Sequence, residues 1–269
     1  MVLVGLCLLG ALASWWTGAR LLTVGRWQIH HPRTALGMWH ATLLLGVASL
    51  AASVVISVGL ALSAPSIASE TAAVIQTVAG WAALGAVGAV VVTIAAGSDE
   101  TAGAGSTTYG AVLAIPHSRA RLDRGAFLLT CETEELFACA LPGRDAAVVV
   151  SRGLREALTP AQLRAVVAHE RAHLRGHHYL AVRAAELYRA CVPFLRSGRR
   201  LLVATRLLVE LIADDDAARR AGAVHLANAL AVISERTGDV AMEMRADRLT
   251  AQKWAPARRL APVSAIYTS

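Results

Sequence analysis

Three stretches of this chain, Met1–Gly18, Ala41–Ser69 and Thr71–Ser98, contain no Asp, Glu, Lys or Arg. Each is close to or longer than the roughly 20 residues that an α-helix needs to cross a bilayer. Composition points the same way: the 269 residues are 55% hydrophobic and 17% charged, with a mean hydropathy of +0.50, outside the range of an ordinary soluble domain. After Asp99 the chain becomes mixed, charged and periodic, and the segment GSDETAGAGSTTYG reads as a flexible linker. The expected organisation is a transmembrane region over 1–98 with three helices at about 1–19, 41–63 and 72–96, a linker over 99–125, and a globular domain over 126–269. That last part is long enough for one core.

Topology follows from the basic residues. Met1–Gly18 has no positive residue ahead of its apolar run, and Arg20 and Arg26 follow it, so it reads as an uncleaved span rather than a signal peptide. The loop with Arg20, Arg26 and Arg33 is expected in the cytoplasm, and the link SAPSIASET, with Glu70 and no base, outside. Three spans then place everything after Ser98 in the cytoplasm of a bacterial cell, as part of a multi-pass membrane protein. Gly59, Gly80, Gly85 and Gly88 are small enough to let such helices pack closely, which also makes a homo-oligomer through the spans an expectation. No ionisable residue lies deep in the second and third spans, which argues against an ion or proton pathway.

The net charge of +7 does not imply nucleic acid. Lys253 is the only lysine, and this arginine skew fits a GC-rich coding bias, while Arg20, Arg26, Arg33, Arg119, Arg121 and Arg124 lie where topology places positive charge. Cys7, Cys131, Cys139 and Cys191 form no CxxC pair and read as reduced thiols.

The chemistry concentrates in LTPAQLRAVVAHERAHLRGHH. Thr159 caps a helix, Pro160 takes its first position and Gln162 completes a capping box. Leu163, Val166, Val167, Glu170, His173, Leu174 and His177 recur at steps of three and four, so His169, Glu170 and His173 share the core side. Two imidazoles one turn apart can hold one zinc ion, with the glutamate between them beside its water. Catalytic zinc requires a third protein ligand and an open position. His177 and His178 lie too close on the same helix to supply it unless the helix breaks at Gly176; a polar face or an outer supporting role suits them better. In LLVELIADDDAARR, Glu210 and Asp214 sit one turn apart within an apolar stripe of Leu201, Leu202, Leu208, Leu211 and Ile212. A buried acid needs a partner, so Glu210 is the expected third ligand and Asp214 the acceptor that fixes the tautomer of a ligating histidine. Asp215 and Asp216 are expected to be solvated or paired with Arg219 and Arg220.

With HERAH and ELIAD together, the sequence resembles the membrane-embedded gluzincin metallopeptidases, in particular the BlaR/MecR-type signal-transducing peptidases and, more widely, the HtpX-like and CAAX-processing peptidases. The run FACALPGRDAAVVVSRGLREALTPAQLRAVVAHERAH looks like the family's approach to its zinc helix: a Pro-Gly turn, a β-run over Ala146–Ser151, and a short helix ending near Leu158. HHPRTALGMWHA, ahead of the second span, also contributes to the likeness. The resemblance implies a mainly α membrane protein with a helical zinc peptidase domain and a small β-element. It also implies one Zn2+ per chain held by His169, His173 and Glu210, Glu170 as catalytic base, Asp214 as outer partner, and a protein or peptide substrate. That substrate is expected to be a cytoplasmic protein such as a transcriptional repressor; membrane quality control and a catalytically silent zinc-holding receptor are the alternative readings. The penicillin-binding domain that BlaR/MecR-type receptors carry after a fourth span is not expected in these residues, which contain no Ser-x-x-Lys and only the short LANALAVI as a further apolar run. Ala146–Val150 reads either as an edge to which an extended substrate adds or as a buried central strand. Tyr179, His225 and several arginines remain open as donors to the developing oxyanion.

Overall fold

The computed structural model describes residues 2–21, 27–62, parts of 71–92, Gly110, 114–122, 126–143, 145–191 and 196–255. The expected link around Glu70, most of the 99–125 linker and parts of the third helix lie outside the described residues; those described within 71–92 are helical. The fold is mostly helical with one small sheet, as the sequence implies. It divides into two compact units, Met1–Ala102 with Val182–Leu208, and Gly103–Ala181 with Val209–Ser269.

In the first unit, α1 (Val2–Leu21) packs along α3 (Pro32–Leu62), with a short α2 (Trp27–His30) between them. The helix α3 starts well before the apolar stretch at Ala41, because Pro32 suits a first turn and nothing from Arg33 to His40 breaks it. The buried residues of these two helices are Val4, Ala11 and Ser14 on α1, and Ala35, Trp39, Leu50, Ser53 and Ser57 on α3. Ser14 and Ser53 donate to carbonyls one turn back, at Ala11 and Leu50, so they cost little in an apolar setting. Large apolar side chains point outward, Leu44 at 67% and Val55 at 71% exposure among them. One helical segment among the described residues, Pro32–Gly59, is long and apolar enough to cross a membrane.

The second unit is built on β1 (His117–Arg121), β2 (Phe127–Cys131), β3 (Ala138–Leu141) and β4 (Ala147–Ser151), in the order β1-β2-β4-β3. β2 and β4 are parallel; the outer pairs are antiparallel. The run at Ala147–Ser151 is therefore central, and every one of its residues is buried. A continuous apolar run fits that position, since alternate side chains enter opposite faces and both are covered. β3 is the edge.

Val148 and Val150 face one layer of helices, joining Leu154 and Leu158 at α4 (Arg152–Ala157), Leu163, Val166 and Val167 of α5 (Pro160–Arg175), and Ala229 and Ile233 of α8 (Ala223–Thr237). Thr159 caps α5 with the complete reciprocal box to Gln162. Behind it, Ala165, Ala168, Ala217, Ala218, Ala227 and Ala246 form a second core, in which α5, α8, α9 (Val240–Ala251) and the end of α7 (Arg196–Ala221) approach closely. Between α5 and α7 runs α6 (His178–Cys191).

Candidate metal centre

Packing of Leu163, Val166 and Val167 against the sheet fixes the rotation of α5, and that rotation presents His169 and His173 one turn apart. Their Nε2 atoms are 3.1 Å apart. The last turns of α7 bring Glu210 against both: Oε2 lies 3.3 Å from Nε2 of His169, and Oε1 lies 3.5 Å from Nε2 of His173. Four-coordinate zinc with bonds of about 2.0–2.1 Å has donor atoms about 3.3–3.4 Å apart. The two imidazoles and the carboxylate thus stand at the spacing of one tetrahedral face, and their chemistry of two nitrogens and one oxygen suits that ion.

Asp214, one turn beyond Glu210 and fully buried, places Oδ1 3.0 Å from Nδ1 of His169. The approach is oblique, and Nδ1 has no well-aligned hydrogen bond. One imidazole is still held between two carboxylates, Glu210 at Nε2 and Asp214 at Nδ1. Burial opposes a charge on that ring, but Asp214 and Glu210 outweigh it and raise His169 to about 10. Burial and the neighbouring His169 charge lower His173 to about 4. Although burial disfavours their ionised forms, both acids lie below the usual carboxylate range, Glu210 at about 2, because His169 and Arg245 face them.

Arg245 on α9 is the residue that sequence reasoning missed. Its Nε and one terminal nitrogen grip Asp214 at 2.8 and 2.7 Å, and the other terminal nitrogen lies 3.0 Å from Glu210. A two-pronged guanidinium on a carboxylate is a rigid, directional contact. Arg245 therefore sets the outer acid and steadies the proposed ligand together. Nothing in MEMRADRL marks this arginine among its neighbours, since its role depends on α9 packing across Ala246 and Leu249.

His178 also joins the cluster. The helix α5 ends at Gly176, and His177 takes a left-handed φ of 48°, so the chain turns and starts α6 at once. The turn carries His178 back to put its Nδ1 3.0 Å from Nδ1 of His173. Gly176 makes room: a Cβ there would collide with the His178 ring. The helix thus breaks where the sequence allows it to, yet His178 meets His173 rather than the Nε2 donor set.

Glu170 points from α5 toward the edge strand, where the Ala140 N–H donates to its carboxylate. Burial pushes its pKa up, which His169 and Arg245 partly offset. Asp216 pairs with Arg175 and Arg220, and Asp215 with Arg248, tying α7 to α5 and α9. Tyr179 and His225 are exposed.

Two histidines on α5, an acid on α7 and a half-buried glutamate beside them form a candidate metal centre of the kind a metallopeptidase uses. Residues 131–262 match the model of Peptidase family M48, and that match supports membership of this family of zinc metallopeptidases. The matched segment is just under half of the chain and contains Glu170, both imidazoles, Glu210, Asp214 and Arg245. No curated protein and no solved structure matched the chain.

Proposed function

We propose that this chain is a membrane-anchored zinc endopeptidase of the BlaR/MecR type, acting on a cytoplasmic protein substrate such as a transcriptional repressor. The observation that carries the peptidase reading is the triangle of His169, His173 and Glu210 donors with the half-buried Glu170 beside it. His169, His173 and Glu210 would hold the ion, with Asp214, Arg245 and His178 orienting them. Zinc bound there supplies Lewis acidity, polarising a carbonyl and bringing water toward a pKa of about 7.

Glu170 takes a proton from the attacking water, and burial, which raises its pKa above the ordinary carboxylate value, makes it a stronger base than an exposed glutamate. As the C–N bond breaks, the carboxyl returns that proton to the departing nitrogen. The edge strand β3, whose Ala140 already touches Glu170, is the place where an extended peptide can add by backbone hydrogen bonds. Membrane anchoring is supported by α3, long and apolar enough to cross a bilayer, and by the many large apolar side chains that α1 and α3 leave exposed. Arg20, Arg26 and Arg33 beside them favour a cytoplasmic start of α3.

The test is to purify the whole chain in detergent, measure zinc, and follow cleavage of a candidate repressor and of casein. Glu170→Gln should keep wild-type zinc content and lose activity. Activity surviving in that variant would defeat the mechanism, and cleavage of casein alone would move the assignment toward quality control.

A further inference from the structure

Between Glu186 and Glu210 the chain contains five arginines, Arg189, Arg196, Arg199, Arg200 and Arg206, and no acid. This stretch covers the end of α6 and the first half of α7, and belongs to the same compact unit as α1 and α3. One face of it is apolar and already used. Leu201, Leu202 and Leu208, with Ala185 and Tyr188, bury against Ala35 and Trp39 at the start of α3. The opposite face of α7 follows the helical steps Arg196, Arg199, Arg200, Val203, Arg206 and Leu207, and all six are exposed, Val203 at 62% and Leu207 at 48%. Among the described residues only Arg206 of these four arginines has an acidic partner, Glu186 at 2.9 Å.

We infer that this face of α7 binds the anionic headgroups of the bilayer that α3 crosses. The inference rests on the membrane reading of α3 given above. Contact with Ala35 and Trp39 puts the stretch at the first turns of α3, at headgroup depth, while the bare apolar surface of that helix continues from Leu44 to Val58. Guanidinium groups pair with lipid phosphates, and Val203 and Leu207 between them can enter the boundary of the acyl region. Each arginine close to an anionic surface is drawn to it, and the attraction weakens with salt. The effect is to hold the first half of α7 at the bilayer surface.

A photo-crosslinking amino acid placed at Val203, and separately at Val55, tests this in the full chain reconstituted into phosphatidylcholine bilayers with a minority of phosphatidylglycerol. Mass spectrometry would identify the adducts. Position 55 should crosslink both lipids in proportion to their abundance, and position 203 should crosslink phosphatidylglycerol several-fold above its share. The combined substitution Arg199→Gln, Arg200→Gln and Arg206→Gln, on exposed positions and with zinc content unchanged, should abolish that excess, and high salt should reduce it. Lipid adducts at position 55 with none at 203, an unenriched ratio at 203, or protein adducts there in place of lipid would overturn the inference. Absence of lipid adducts at position 55 would remove the membrane reading itself and this inference with it.

Discussion

Asp214 approaches Nδ1 of His169 to 3.0 Å while Arg245 holds the same carboxylate from the other side. The acid therefore has two tasks, orienting a proposed ligand and neutralising a guanidinium that is itself nearly buried. Asp214→Asn keeps the size but removes the charge that both neighbours face. Zinc affinity should fall about 10–100-fold, the usual loss when the outer partner of a ligating histidine is removed. Chelator competition on purified protein checks this, and wild-type affinity in the variant would leave His169 oriented by something else.

Proton and metal compete for His169. Its pKa, about 10 against an ordinary 6.5, means the paired charge contributes stability fully below about pH 6.5 and loses it as pH rises toward 10. Glu210, lowered to about 2, contributes above its ordinary value and loses that contribution as pH falls toward 2. Zinc needs the unprotonated ring, so loading at pH 7 to 8 should release close to one proton, and apparent affinity should rise about tenfold per pH unit above neutrality. Titration calorimetry in buffers of different ionisation enthalpy measures that proton. A release near zero would place His169 in its neutral form before metal arrives.

The contact between His178 and His173 depends on the turn at Gly176 and His177. His178→Ala should weaken zinc binding by about tenfold, because the outer nitrogen of His173 loses its partner. Gly176→Ala should have the same effect with His178 still present, since the added methyl collides with the ring. Equal zinc affinity in wild type and both variants, by the same chelator titration, would reduce His178 to packing.

Several of these residues were legible in the sequence for local reasons. Thr159, Pro160 and Gln162 announce the start of α5, and helical spacing alone puts His169 beside His173 and Glu210 beside Asp214. Distant packing was not legible. Arg245 lies 31 positions after Asp214 and reaches it only because alanines let α9 lie close behind α5 and α7. The run at Ala147–Ser151 looked the same as an edge or as a centre until its pairing with β2 and β3 was known. His178 required a helix break that Gly176 permits but does not dictate.

The N–H of Ala140 gives the edge strand a direct influence on the proposed base. A donor to a carboxylate favours its ionised form, so the Ala140 N–H holds the pKa of Glu170 below what burial alone would produce. Because β3 is an edge and this N–H serves Glu170, Ala140→Pro removes the donor at a position where proline is tolerated. The pKa of Glu170 should rise, and the acid limb of the pH profile of kcat/KM should move to higher pH, with zinc content unchanged. Activity on the acid side of the profile should fall more than activity on its alkaline side. An acid limb that stays in place while activity drops uniformly would mean that β3 acts on substrate binding and not on the ionisation of Glu170.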